Sequence, residues 1–322
     1  SALTANTTGN ANTALGLSSL GSSTTGIYNV AVGYYANFAN VSGNNNVTMG
    51  FQTGRHSTGS NNTAIGYQSM LGLSGQSSAS NNTAVGSQSL YTNTTGSNLT
   101  AVGDGALKLN TTGSENTAIG KNALDANTTA SFNTAVGFNA GTAITDGHTN
   151  TLIGSEAGDA LTTGDENVAL GHGALDGTTT GNGNTAVGTD ALGKSDYNAS
   201  YNTAIGYNAM VSATTATGAT AIGSQALDAL TTGADNTAVG SAALGANTTG
   251  TQNTAVGREA LTTNITGAQN TAIGMYGLRR TTTGSNNVAM GYASLITNTT
   301  GVSNTAYGHN ALYANTTSSS NT

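Results

Sequence analysis

Apolar positions recur along this chain in a fixed pattern of seventeen residues, not at the spacing of about 3.6 that marks an amphipathic helix. The unit reads Asn-Thr-Ala-(Val/Ile)-Gly. A small-large apolar pair such as Ala123-Leu124 or Ala260-Leu261 follows, then a polar run such as Asn110-Thr111-Thr112-Gly113. The Gly that closes the first block stands at 16, 33, 50, 66, 86, 103, 120, 137, 154, 171, 188, 206, 223, 240, 257, 274, 291 and 308. Fourteen of the seventeen intervals are 17 residues; the others, 16, 20 and 18, precede Gly66, Gly86 and Gly206. Asn133, Val136 and Gly137, Asn184, Val187 and Gly188, and Asn253, Val256 and Gly257 belong to regular copies.

So short a period excludes the helical repeats, which need about 33 residues or more. Gly and β-branched residues in every unit oppose helix as well. Two short strands and two turns fit in 17 residues, and the prediction is an all-β, parallel β-solenoid of about 18 coils. At a coil spacing of about 4.8 Å the rod would be roughly 85 Å long.

Each column has a physical reason. The residue before the Gly is always apolar and the one before that is Ala in most coils; the third is Thr or Val, both β-branched. The fourth is Asn in sixteen of eighteen coils, with Leu99 and Ala219 departing, so a ladder of stacked amides is expected. The Gly marks a corner needing positive φ. The complete absence of Pro fits a stack in which every coil donates its backbone N–H groups.

Alternation puts Thr and Val on one side of the strand and Ala and Gly on the other. Both sides are small or apolar, as in strands covered on both faces. One solenoid has only one inside, so the second face predicts a homo-oligomer, taken as a homotrimer.

Composition narrows the function. Only 36% of residues are apolar and many are Ala, which rules out a thick globular core. The formal charge is only -7, and the periodic β-branched residues oppose disorder. The seven basic residues, Arg55, Lys108, Lys121, Lys194, Arg258, Arg279 and Arg280, are scattered, which excludes a nucleic-acid surface. Without Cys there is no disulfide framework. No apolar run is long enough to span a bilayer, so no membrane insertion is expected in this segment. No signal peptide is visible. Residues 1–322 read as a single repetitive segment whose ends fall mid-pattern without polar caps, so a window of a longer fibre is expected.

Asn29-Val30-Ala31-Val32-Gly33 and Asn287-Val288-Ala289-Met290-Gly291 resemble the repeat core of trimeric autotransporter adhesin heads. The full 17-residue unit resembles repeats of phage tail-fibre proteins and related bacterial fibres. The resemblance implies a trimeric, left-handed parallel β-roll, a place on a cell or virion surface, and a role in attachment. The adhesin head unit is shorter, and the Asn-Thr-Thr-Gly turn is the addition.

Candidate sites are few. Tyr34, Phe51 and Tyr67 follow the Gly in three successive coils and form either a packing ladder or a sugar-binding platform. Asp159 and Asp176 share a column and could hold a calcium ion between them, although solvated surface carboxylates are the plainer reading. His172 and His309 share another column but stand eight coils apart. Glu156, Glu166 and Glu259 have no break in the repeat around them that would build an acid–base pocket. The expectation is therefore no enzyme and no cofactor. The chain reads as a structural fibre shaft or surface adhesin segment, with self-association as its main partnership and a cell-surface glycan or protein as receptor. The alternatives are a glycan-binding module along the rod and an ice-binding solenoid, the latter weakened because Thr alternates with Val in its column.

Overall fold

The computed structural model describes residues 1–73, 77–193 and 198–322. Lys194 lies outside them. The chain forms two compact units, residues 1–164 and 165–322.

The first unit contains β1 (Thr13–Leu15), β2 (Val30–Val32), β3 (Val47–Met49), β4 (Thr63–Ile65), β5 (Thr83–Val85), β6 (Thr100–Val102), β7 (Thr117–Ile119), β8 (Thr134–Val136) and β9 (Thr151–Ile153). Each pairs in parallel with the next, and equal repeat positions face one another: Thr117 meets Thr134, Ala118 meets Ala135 and Ile119 meets Val136. The second unit repeats the plan with β10 (Val168–Leu170), β11 (Thr185–Val187), β12 (Thr203–Ile205), β13 (Thr220–Ile222), β14 (Thr237–Val239), β15 (Thr254–Val256), β16 (Thr271–Ile273), β17 (Val288–Met290) and β18 (Thr305–Tyr307). These too pair in parallel at equal repeat positions. Each unit is thus a parallel β-solenoid, as the periodicity predicts. Among the described residues no helix is long and apolar enough to cross a membrane.

One expectation fails: a coil has one strand of three residues, not two. The second apolar pair lies in turns. In the seventh coil the N–H of Ala123 donates to the Gly120 carbonyl at 3.4 Å, and that of Asn127 to the Leu124 carbonyl at 3.2 Å, which makes two consecutive four-residue turns. The first turn places Asn122 at φ 55°, and the second begins with Leu124 at φ 52°. A left-handed Leu costs roughly 1–2 kcal/mol. Here it buries the Leu124 side chain completely and aims its N–H at the Ala140 carbonyl of the next coil, 3.1 Å away. The same geometry recurs at Leu107, Leu227, Leu244, Leu261, Leu278 and Leu295.

The interior is thin. In the inner coils it holds the strand Ala, the turn Ala and Leu, and the Asn column, buried together. Asn133, Asn184 and Asn253 are fully enclosed. The Oδ1 of Asn253 accepts the backbone N–H of Asn270 at 3.0 Å and its side-chain N–H at 3.2 Å; its own Nδ2 donates to the Gly267 carbonyl at 2.8 Å. The expected amide ladder therefore also ties each coil's strand to the next coil's turn. A second ladder, formed by the Asn of Asn-Thr-Thr-Gly, runs from Asn127 to Asn110 at 2.9 Å and from Asn110 to Asn93 at 2.9 Å. It gives way to Ile144 and Leu161, where burial replaces hydrogen bonding.

Volume is conserved across positions. Where the strand Ala becomes Thr48 or Leu152, Gly takes the turn Leu position at Gly54 and Gly158. A Cβ on Gly54 would lie 2.9 Å from the Thr48 methyl, and one on Gly158 would lie 2.9 Å from a Leu152 methyl.

Candidate functional site

The strand side chains that point away from the interior form the main surface feature of each unit. Thr or Val comes three residues before the Gly, and Val, Ile, Leu, Met or Tyr one before it. No coil has a charged residue in either column. Val136 and Val187 are half-buried, and Ile119, Ile153, Ile205, Ile222, Val256 and Ile273 are between 36% and 40% exposed, whereas the Ala between them is buried. Beside this stripe runs the Gly column, whose glycines stack so closely that an added Cβ on Gly120 would lie 2.2 Å from the Gly137 carbonyl. In the last coils of the second unit Ile273, Met290, Gly291, Tyr307 and Gly308 line a groove of about 290 Å³. Among the described residues, carboxylates and basic groups lie outside the strands.

The aromatic candidates come together. Tyr34 stacks on Phe51 with ring centres 5.3 Å apart and planes 12° apart, and Phe51 stacks on Tyr67 at 5.6 Å and 7°. All three are between 41% and 51% exposed. Because the rings stack on one another, the middle ring shows solvent its edge, while Tyr67 ends the ladder below Ser87 and keeps one face without a ring. The neighbouring column was not anticipated. Tyr35 meets Tyr34 edge-on at 4.6 Å, Phe38 packs on Tyr35 at 4.9 Å, and the Arg55 guanidinium lies 4.9 Å from the Tyr35 ring centre. Gln68 donates to Gln52 at 3.0 Å beside them. Aligning the columns two and five places after the Gly would have shown Tyr35 and Arg55 next to the ladder.

The second unit has a counterpart. Tyr276 meets Tyr292 at 5.9 Å, Tyr292 stacks on His309 at 5.1 Å, and Arg279 lies 4.8 Å from the Tyr276 ring centre. Here the arginine is neutralised: Glu259 accepts from Arg279 at 2.7 Å and from Arg258 at 3.2 Å.

Asp159 belongs to the first unit and Asp176 to the second. Burial, with Glu156 nearby, holds the Asp159 carboxyl above its ordinary range. Among the described residues no group of three or more His, Cys, Asp or Glu side chains could hold a metal ion. Glu166 is exposed, and Glu259 is engaged by its two arginines. His148 accepts the Ser131 backbone N–H at Nδ1, 3.0 Å away. His172 and His309 lie in the same unit but eight coils apart.

The class this fold defines is the parallel β-solenoid repeat protein. No protein-family model matches the chain, and a search of curated proteins finds no relative.

Proposed function

We propose that this chain is a non-catalytic structural segment of a surface fibre or adhesin that acts as a homotrimer outside the cell, on a cell or virion surface. The observation that carries the reading is the outward stripe: uncharged, mostly β-branched and half-exposed through the successive coils of each unit. Exposed apolar surface that continuous marks an interaction site. A second copy is the partner that fits. It presents the same stripe at the same coil spacing, so apolar residues meet at every step, which a partner of different period would not match. A cell-surface glycan or protein is the expected receptor of the assembled fibre.

Light scattering on the purified chain tests this directly. A mass near three chains is the expected result. A stable monomer would overturn the reading.

A further inference from the structure

The aromatic cluster of the first unit points, we infer, to a binding site for a carboxylated sugar ring, packed on the exposed Tyr34 end of the ladder and held by Arg55. Three observations converge. First, residues 1–103 contain no Asp or Glu, and Arg55 is the only Lys or Arg among them. Among the described residues its guanidinium has no carboxylate partner, and its Nε is buried without a hydrogen bond. Second, this lone cation lies against Tyr35, whose ring abuts Tyr34 at the head of the exposed Tyr34–Phe51–Tyr67 stack. Aromatic rings take the C–H face of a pyranose by dispersion, and a guanidinium takes a carboxylate through paired N–H donors. Third, the Gln52–Gln68 amide pair runs alongside and offers donors and acceptors to hydroxyl groups.

The second unit shows what the first lacks. Its matching arginine, Arg279, also lies over a Tyr, but Glu259 occupies it at 2.7 Å. An anionic ligand is therefore drawn to this cluster and not to its counterpart around Tyr276. The ligand's source is a uronate-containing polysaccharide or a sialylated glycoconjugate, which share this chemistry.

The experiment is calorimetric titration of the full chain with oligogalacturonate and with sialyllactose, each beside its methyl ester, which keeps the ring and removes the charge. At least one acid binds, and its ester binds about tenfold more weakly, the loss expected for one charge-assisted hydrogen bond. Arg55→Gln brings the acid down to the level of the ester. Tyr34→Ala weakens both forms, and Arg279→Gln changes neither. Arg55→Lys, which keeps the charge, recovers part of the preference for acid over ester and guards against a folding artefact. Which acid binds separates the two sources. The proposal is overturned if neither acid binds, if acid and ester bind alike, or if Arg55→Gln has no effect. Solution mass is read on the same samples, so loss of self-association and loss of sugar binding are seen separately.

Discussion

The Gly that closes each strand holds φ between 122° and 145°, a region that residues with a Cβ seldom enter. At Gly240 an added Cβ would also lie 2.7 Å from the Gly257 carbonyl of the next coil. The Gly of the Asn-Thr-Thr-Gly turn is different. Its φ is not positive, and Ala79, Ala130, Ala199 and Ala216 stand at the same repeat position. The two columns look alike in sequence but differ in what they require. Gly240→Ala should lower stability by about 2 kcal/mol or more, combining backbone strain with a forced shift between coils. Gly284→Ala would also bring its Cβ to 2.5 Å from the Gly301 carbonyl, but it lacks the φ strain and stands where other coils carry Ala, so it should cost less. Urea denaturation of the two variants checks this, and equal costs would contradict the backbone argument.

At the scale of one coil, packing is complementary between strand and turn. Leu152→Ala should destabilise by about 2–5 kcal/mol through the cavity it leaves. Gly158→Leu should cost about 1–3 kcal/mol by overpacking against Leu152. The double variant restores the common Ala-and-Leu arrangement and should recover most of the loss, since a left-handed Leu is the usual occupant of that turn position. A cycle with no favourable coupling would mean that the two side chains do not share one space.

The turns also carry a pH signature. Burial holds the carboxyls of Asp125, Asp159 and Asp228 above their ordinary value of 3.8. The folded chain therefore keeps these protons more tightly than the unfolded chain, and each ionised carboxylate opposes folding. That opposition is relieved as the pH falls from the raised values toward 3.8. The melting temperature should rise between neutral pH and about pH 4. Asp228→Asn should raise it at neutral pH and flatten the rise. A variant with an unchanged slope would show that Asp228 is already free in solution.

At the scale of the whole molecule the outward stripe is the feature with most consequence. Val136→Lys and Val187→Lys place charge at half-exposed positions, one in each unit, where a lone chain tolerates it. The paired variant should keep the circular dichroism of the parent but lose its multimeric mass. Unfolding in place of dissociation would mean that the stripe serves the interior of one chain.

The period, the column of each residue and the parallel stacking of like on like were all readable from the residues alone. A solenoid makes these the same statement, since what recurs along the chain becomes adjacent in space. The buried Asn column was legible for that reason: Asn253 and Asn270 are 17 residues apart and directly stacked. How the chain travels around one coil was set by packing between coils. The Ala-Leu pair reads as a strand by its apolar character. Leu124 turns left-handed instead, because the N–H it presents to Ala140 and its burial outweigh a local preference that sequence patterns alone can express. Likewise, Tyr34, Phe51 and Tyr67 were legible as one column, but Tyr35 and Arg55 joined them only once the turns had set neighbouring columns side by side.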